Sequence, residues 1–139
     1  MIVLDTNVAS QLLRPHGAKA VLNWLDQQAV SSFRLTAITI MEIQYGLESM
    51  ADGRKKERFA SEWTAVFNAS FANRVLPFDT SAAQIAGRLS AQRRRRGVVI
   101  DTNDTQIAAI AIAHNAAIAT RNIRHFPDLP VAVIDPWAE

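Results

Sequence analysis

Short apolar runs and longer helical patterns alternate along the whole chain. Apolar runs that read as buried strands lie at residues 2–5, 35–38, 75–78, 117–120 and 131–134. Between them, apolar residues recur at the spacing of one helix face. Strands that alternate with helices are typical of a parallel sheet covered by helices on both faces, so the pattern predicts an α/β fold.

The intervals between the strands predict helices at residues 8–13, 18–28, 39–50, 54–71, 81–96 and 104–114. Residues 14–17, which include a proline and a glycine, separate the first two helices. A tight turn at Asp52 and Gly53 joins the third and fourth into a helical hairpin, and Gly97 is expected to end the fifth. No repeat or flexible linker interrupts this order, so we expect one domain over residues 1–139 with a central sheet of four to five strands.

The chain has 139 residues, of which 49% are hydrophobic and 20% are charged, as in an ordinary globular protein. The sequence contains no cysteine, which excludes disulfides, thiolate zinc sites and cysteine nucleophiles. No signal peptide is evident, and the most hydrophobic stretch, residues 107–119, is interrupted by His114 and Asn115 and is too short to span a bilayer. We therefore expect a cytoplasmic protein without a membrane partner. The net charge of +2 says little about other partners, so the distribution of charge matters more.

Three acidic residues share one predicted position relative to the sheet. Asp5 ends the first strand, Glu42 lies in the first turn of the helix after the second, and Asp104 opens the helix that leads into the fourth. In a parallel sheet, side chains at the strand carboxyl ends and at the starts of the following helices meet at one edge, where ligands bind. We expect these three carboxylates to lie in one crevice.

Each acid also has an ordinary structural explanation. Asp5 can simply end its strand, as turn residues do. Glu42 fits a capping box with Thr39, and Asp104 complements a helix dipole. Together, however, three carboxylates would repel one another unless a cation lay among them. Oxygen ligands without histidine or cysteine suit Mg²⁺ or Mn²⁺, ions that serve phosphodiester chemistry.

Polar side chains near the ends of the first and fourth strands could support this site. Thr6 directly follows Asp5, and Thr120 could hydrogen-bond a carboxylate. Asn122 could offer a neutral oxygen to a metal or orient a water molecule. It could equally cap the short turn that runs to His125, and the sequence leaves both interpretations open.

The order of four motifs makes the chain resemble PIN domains. The motifs are residues 4–8 (Leu-Asp-Thr-Asn-Val), 36–46 (Thr-Ala-Ile-Thr-Ile-Met-Glu-Ile-Gln-Tyr-Gly), 104–109 (Asp-Thr-Gln-Ile-Ala-Ala) and 119–122 (Ala-Thr-Arg-Asn). Among PIN domains the chain resembles the VapC-type toxins of bacterial toxin–antitoxin pairs, and it looks closest to their FitB-like members. The resemblance covers essentially the whole chain, and four motifs in order are a specific signal.

This resemblance implies a three-layer α/β/α PIN fold and a Mg²⁺- or Mn²⁺-dependent endoribonuclease whose in-line hydrolysis leaves a 5′-phosphate. It also implies a cognate antitoxin of the VapB or FitA type, operator DNA bound only through that antitoxin, and a homodimer or a heterooligomer with it. The family's acidic, metal-binding site falls on Asp5, Glu42 and Asp104. Its fourth acidic position falls on Asn122, where FitB-like members carry aspartate, so this chain has one acid fewer.

The most concentrated charge in the chain is a run of four arginines, namely Arg93, Arg94, Arg95 and Arg96. Cations at a helix C-terminus complement the helix dipole, but that effect is local and explains only one or two of them. Four in succession surround the helix and favour contact with a polyanion, which here would be the RNA backbone. Dipole complementation and RNA binding both remain open interpretations.

Other titratable residues carry less weight in this interpretation. His16, His114 and His125 show no metal-ligand spacing. His125 could neighbour the site through the Asn122 turn, but both it and His16 are interpreted as incidental. Asp79 and Asp101 precede predicted helices and are interpreted as structural helix caps.

Three functions compete. The first is the metal-dependent endoribonuclease toxin, and the second is a regulatory binding module that acts mainly in an antitoxin complex on operator DNA. The third is a phosphatase that uses Asp5 as its nucleophile. It is disfavoured because that chemistry commonly needs a second aspartate two residues later, and position 7 is Asn7.

Overall fold

The computed structural model describes residues 1–13 and 17–138. Its strands are β1 (Ile2–Leu4), β2 (Phe33–Thr36), β3 (Val75–Leu76), β4 (Ala117–Ala119) and β5 (Val133–Ile134). They form one five-stranded sheet in the order β3-β2-β1-β4-β5, and every neighbouring pair is parallel. The predicted parallel α/β sheet is confirmed, and β1 occupies its centre.

The helices within the described ranges are α1 (Thr6–Ala9), α2 (Lys19–Asp26), α3 (Ala37–Ser49), α4 (Arg54–Val66), α5 (Thr80–Arg95) and α6 (Thr102–Ala113). A 3₁₀ turn over Ser10–Leu13 continues α1, and one π turn over Phe67–Phe71 continues α4. The predicted hairpin is formed by α3 and α4. The predicted break at residues 14–17 falls mostly on residues 14–16, which lie outside the described residues.

Hydrophobic side chains pack on both faces of the sheet, which makes the fold three-layered. Successive residues of β1 point to opposite faces, so Leu4 joins one core and Val3 the other. The Leu4 core takes residues from α1, α2, α3 and α4. The Val3 core is built mainly from α5 and α6, with fully buried Ile107 and Ile110. In α6 the buried residues are consecutive from Ile107 to Ala111, so this helix is buried on more than one side.

The second strand ends earlier than its apolar pattern predicted. The sequence predicted a strand at residues 35–38, whereas β2 ends at Thr36 and α3 begins at Ala37. The reason is a helix cap, because the Thr36 hydroxyl accepts a hydrogen bond of 3.1 Å from the Thr39 backbone N–H. Ile38 is therefore a buried helix residue that packs in the Val3 core.

The ends of α5 follow the sequence closely. The Asp79 side chain accepts a 3.0 Å hydrogen bond from the Ala82 backbone N–H and so caps the helix, as predicted. Beyond the other end, Gly97 has φ +71°, a backbone conformation that favours glycine. Among the described residues, we find no helix both long enough and apolar enough to cross a membrane.

The register of the central strands sets the position of the polar edge. Leu4 in β1 pairs with Ala119 in β4, so the next residues, Asp5 and Thr120, leave the sheet side by side. The Asp5 backbone N–H donates a 2.9 Å hydrogen bond to the Ala119 carbonyl and extends this pairing by one step. The end of β2, at Thr36, lies on the other side of β1.

Candidate active site

Asp5 is a buried carboxylate held by three donors. Its side chain is only 3% exposed. Oδ2 accepts a 2.7 Å hydrogen bond from the Thr120 hydroxyl and a 3.1 Å bond from Asn7 Nδ2, while Oδ1 accepts a 2.8 Å bond from the Thr6 backbone N–H. Burial raises the pKa of Asp5 above its ordinary value, and the three hydrogen bonds oppose that rise.

Asn7 and Thr120 connect the ends of β1 and β4. Thr120 is fully buried, and its hydroxyl oxygen accepts a 3.0 Å hydrogen bond from the Asn122 backbone N–H. The side-chain oxygen of Asn7 accepts a 3.1 Å bond from the Arg121 backbone N–H. Position 7 therefore holds a side chain that donates to Asp5 with one end and fixes the loop after β4 with the other.

Glu42 lies in the second turn of α3, one turn later than predicted, because the helix begins at Ala37. The capping box with Thr39 is not formed, since the Thr39 N–H is bonded to Thr36. Instead, Glu42 Oε1 accepts a 2.8 Å hydrogen bond from the Thr6 hydroxyl. Burial is the main factor that raises the pKa of Glu42, and the negative charges of Asp5 and Asp104 add to it.

Asp104 is the third residue of α6 and does not cap that helix. Asp101 does so as predicted, by accepting a 3.2 Å hydrogen bond from the Asn103 N–H. Oδ2 of Asp104 lies 2.9 Å from Nδ1 of His125. Burial raises the pKa of Asp104, and the charge of Asp5 raises it further, while His125 opposes the rise. An ionised carboxylate only accepts hydrogen bonds, so His125 Nδ1–H is then the donor.

The charges of Asp5 and Asp104 thus lie close enough to raise the pKa of Glu42, and the charge of Asp5 also raises the pKa of Asp104. Across residues 1–13 and 17–138, however, no three His, Cys, Asp or Glu side chains converge closely enough to enclose a metal ion. The site is therefore a set of neighbouring carboxylates, and it is not a preassembled cage.

Asn122 takes a more peripheral position than the three acids. It is exposed and directly precedes the 3₁₀ turn Ile123–His125, but its side chain makes no capping hydrogen bond to that turn. The alternative role of Asn122 as the cap of this turn therefore lacks the side-chain hydrogen bond that defines a cap.

His125 is a residue whose importance the sequence interpretation underestimated. It was interpreted as incidental, yet it is the side chain that contacts Asp104. The alternative that His125 neighbours the site through the Asn122 turn, which the sequence also offered, is the one that this contact supports.

The structure separates Arg93 from the rest of the arginine run and corrects its predicted role. Arg93 is only 6% exposed, and its Nη1 donates a 2.8 Å hydrogen bond to the Thr105 hydroxyl in α6. A guanidinium in this position cannot reach an RNA backbone, whereas Arg94, Arg95 and Arg96 are exposed. Helix periodicity is the reason, since Arg93 lies seven residues after the buried Ala86 and shares its helix face.

The similarity of this chain to known proteins extends over almost its whole length. Residues 2–131 match the PIN domain family. The chain is 39% identical to VapC ribonuclease Y4jK of Sinorhizobium fredii, over 99% of this chain and 98% of that protein. It is 36% identical to Toxin FitB of Neisseria gonorrhoeae, over 99% of both chains.

Solved structures show the same likeness in three dimensions. A crystal structure of FitAcB from Neisseria gonorrhoeae superposes with a TM-score of 0.92 at 36% identity and covers 100% of both chains. A crystal structure of VapBC2 from Rickettsia felis, bound to a DNA fragment from their promoter, superposes with a TM-score of 0.80 at 26% identity, over 97% of this chain and 98% of that one. The parallel sheet with helices on both faces and an acidic edge agrees with this likeness. The chain belongs to the PIN-domain family and, within that family, to the VapC group.

Proposed function

We propose that this protein is a divalent-metal-dependent endoribonuclease that hydrolyses RNA phosphodiester bonds and acts as the toxin of a toxin–antitoxin pair. The observation that supports the proposal is the contact of Thr6 with two of the acids: its backbone N–H donates to Asp5 and its hydroxyl donates to Glu42. The charge of Asp5 also raises the pKa of Asp104. Family membership supports the proposal, because the VapC relative is named as a ribonuclease and FitB as a toxin.

The donor set fits Mg²⁺ or Mn²⁺. It offers carboxylate oxygens, which these ions prefer, and a cation would relieve the repulsion among the three acids. Mg²⁺ commonly binds through one or two carboxylates, several waters and a substrate phosphate. Three carboxylates that do not converge into a closed cage are therefore compatible with Mg²⁺. Asp5, Glu42 and Asp104 would hold it, and when bound it would activate water and neutralise charge on the phosphate.

The surrounding side chains orient these carboxylates before substrate arrives. Thr120 and Asn7 fix one oxygen of Asp5, and the Thr6 N–H fixes the other. The Thr6 hydroxyl also holds Glu42, so one residue connects two of the three acids. Such outer contacts normally tune a carboxylate site by setting the direction of its free lone pairs.

RNA contact outside the acidic edge is proposed for the exposed part of the arginine run. Arg94 and Arg95 lie on the last turn of α5 and are exposed, whereas Arg93 is buried. Substituting either by glutamine should weaken RNA binding and lower the slope of log K against log salt by about 0.7, the value for one lost single-strand phosphate contact.

A cognate antitoxin is the proposed protein partner. The solved VapBC2 complex carries promoter DNA. We propose by analogy that this chain binds its own antitoxin and reaches operator DNA only through it, as a homodimer or a heterooligomer. The regulatory binding module remains the second candidate, since that complex with promoter DNA is compatible with it.

Cleavage of a structured RNA by the purified protein, free of antitoxin, tests the proposal. The wild-type chain, Asp5→Asn and Asp104→Asn are compared with and without Mn²⁺, and Asp26→Asn, an exposed acid of α2, is the matched control. We expect Mn²⁺-dependent cleavage by wild type and control that falls at least about 100-fold in both site variants.

Other outcomes distinguish the remaining hypotheses. If folded wild-type protein leaves the RNA intact but still binds antitoxin and operator, the nuclease hypothesis fails and the binding-module hypothesis is favoured. Turnover of a phosphomonoester without cleavage of RNA would favour the phosphatase. Thermal unfolding of each variant checks that lost activity does not reflect lost fold.

A further inference from the structure

A cavity of about 500 Å³ opens directly beside the candidate site, between α3 and the start of α6. Its lining residues are Thr6, Met41, Glu42, Tyr45 and Asn103. Thr6 and Glu42 are bonded to each other and belong to the acidic edge. The cavity is thus continuous with the place where a phosphate would be cleaved, and its size lies in the usual range for small-molecule sites.

Two large side chains of this cavity are exposed to an unusual degree. Tyr45 is 75% exposed and Met41 is 50% exposed, although both belong to the well-formed helix α3. They lie four residues apart and therefore on one face of the helix, with Glu42 on the same side. An aromatic ring and a thioether presented to solvent next to a polar cluster offer an apolar surface for a flat ligand.

The chemistry of this surface fits a nucleobase better than a phosphate. The lining residues include no lysine or arginine that could bind a phosphate, whereas a neutral base needs none. Aromatic side chains stack on any base, and a side-chain amide such as that of Asn103 can bond a base edge. A base is covalently tied to its phosphate, so a phosphate at the carboxylates would carry a base within reach of a cavity that shares Thr6 and Glu42 with them.

We propose that Tyr45, assisted by Met41, stacks on the base of a nucleotide that adjoins the cleaved phosphate. The cavity thereby serves as the base subsite of the enzyme. This inference rests on the proposed ribonuclease function and names a substrate contact for it. Tyr45 is then a binding residue, and its ring rather than its hydroxyl supplies the contact.

A double-mutant cycle between protein and RNA tests the subsite. The cleaved bond is first mapped in a mixed-sequence oligoribonucleotide with wild-type protein and Mn²⁺. The same RNA is then made with an abasic nucleotide on either side of that bond. We expect Tyr45→Ala to lower kcat/KM on the intact RNA by roughly 5- to 150-fold, the range for loss of one base–aromatic stack.

The coupling between the two changes is the decisive readout. On one of the two abasic substrates, Tyr45→Ala should cause little further loss, because the base that it contacts is already missing. Tyr45→Phe should retain most of the activity on intact RNA. The adjacent exposed residue Gln44, changed to alanine, is the positional control and should resemble wild type.

Equal activity of wild type and Tyr45→Ala on intact RNA would overturn the inference while leaving the ribonuclease intact. Losses that are the same on intact and on both abasic substrates would also overturn it. Unchanged cleavage with weakened antitoxin binding would assign this surface to the protein partner instead. If wild-type protein fails to cleave any RNA with Mn²⁺, the proposed function itself fails before the subsite is tested.

Discussion

The two aspartates of the candidate site differ sharply in how firmly they are held. Asp5 is 3% exposed and accepts hydrogen bonds from Thr6, Asn7 and Thr120. The Asp104 side chain is 16% exposed, and His125 is its side-chain partner. Both have raised pKa values, with burial as the leading cause.

The difference follows from where each residue stands in the fold. Asp5 leaves the central strand, where the pairing with β4 fixes its backbone on one side. Asp104 lies in the first turn of α6. Its side-chain partner, His125, lies on a separate segment, the 3₁₀ turn that follows β4. We infer that the Asp5 side is preorganised, and that the Asp104 side can adjust as metal and phosphate arrive.

The largest effect is expected from the firmly held side. Thr120→Val keeps the shape of a fully buried residue but removes the shortest hydrogen bond to Asp5. Since outer-shell contacts of this kind tune metal affinity and activity, we expect RNA cleavage to fall by about 10- to 100-fold. A Mn²⁺ titration of the cleavage rate measures it, with Thr64→Val on the exposed face of α4 as control. Wild-type activity in Thr120→Val would contradict preorganisation of Asp5.

A smaller loss is expected on the adjustable side. His125→Ala removes the side-chain partner of Asp104, but this carboxylate is less buried and can be reoriented by a bound ion. We expect the cleavage rate to fall by no more than about 10-fold, the lower end of the same range. His114→Ala, at the far end of α6, is the matched control. If the His125 variant lost more activity than Thr120→Val, the ranking of the two sides would be reversed.

A modest gain is expected from restoring the fourth acid. Asn122 is exposed at the edge of the site, so Asn122→Asp adds a charge that remains largely solvated. We expect the Mn²⁺ concentration for half-maximal cleavage to fall by up to about fivefold, the size of an exposed ion-pair effect. Asn23→Asp on α2 controls for the change in net charge. A weaker affinity for Mn²⁺ would show that position 122 does not face the bound ion.

The smallest effect is a pH dependence of stability in the metal-free protein. Because Asp5, Glu42 and Asp104 have raised pKa values, the folded chain binds more protons than the unfolded chain. The free energy of unfolding should therefore fall as the pH rises from the ordinary carboxyl range through the raised values. Denaturant unfolding at several pH values measures this slope. Mn²⁺ should flatten it, and stability that rises with pH in this window would contradict the raised values.

Much of the local structure was predictable because its causes are local. The order of strands and helices follows from the period of the apolar positions, and helix caps such as Asp79 and Asp101 act within a few residues. The end of β2 was misplaced because the apolar pattern continues through Ile38, while the Thr36 hydroxyl already begins the helix. Here a side-chain hydrogen bond overrides hydrophobic continuity.

The roles of Arg93 and His125 could not be settled in the same way. Four adjacent arginines look alike in sequence, and packing of α5 against α6 buries one of them beside Thr105. Two nitrogens of that guanidinium, Nε and Nη2, are buried without a hydrogen-bond partner among the described residues. Burial lowers the pKa of Arg93, while the charge of Asp104 opposes this. The helix period was the available signal for the burial of Arg93, because it places this residue on the same helix face as Ala86. In the sequence interpretation, the run of four identical charges outweighed it.

The amino-acid sequence by itself determined the class of fold, the order of strands and helices, and the family resemblance. Those features depend on hydrophobic period and on motif order, which are properties of neighbouring residues. Only the tertiary structure decided that Thr6 connects Asp5 to Glu42, that His125 meets Asp104, and that a cavity with an exposed Tyr45 adjoins them. The Asp104–His125 and Thr6–Glu42 contacts join residues 21 and 36 positions apart, and the cavity opens between separate helices. They exist because the parallel register and the packing of α3 and α6 bring distant segments to the same edge of the sheet.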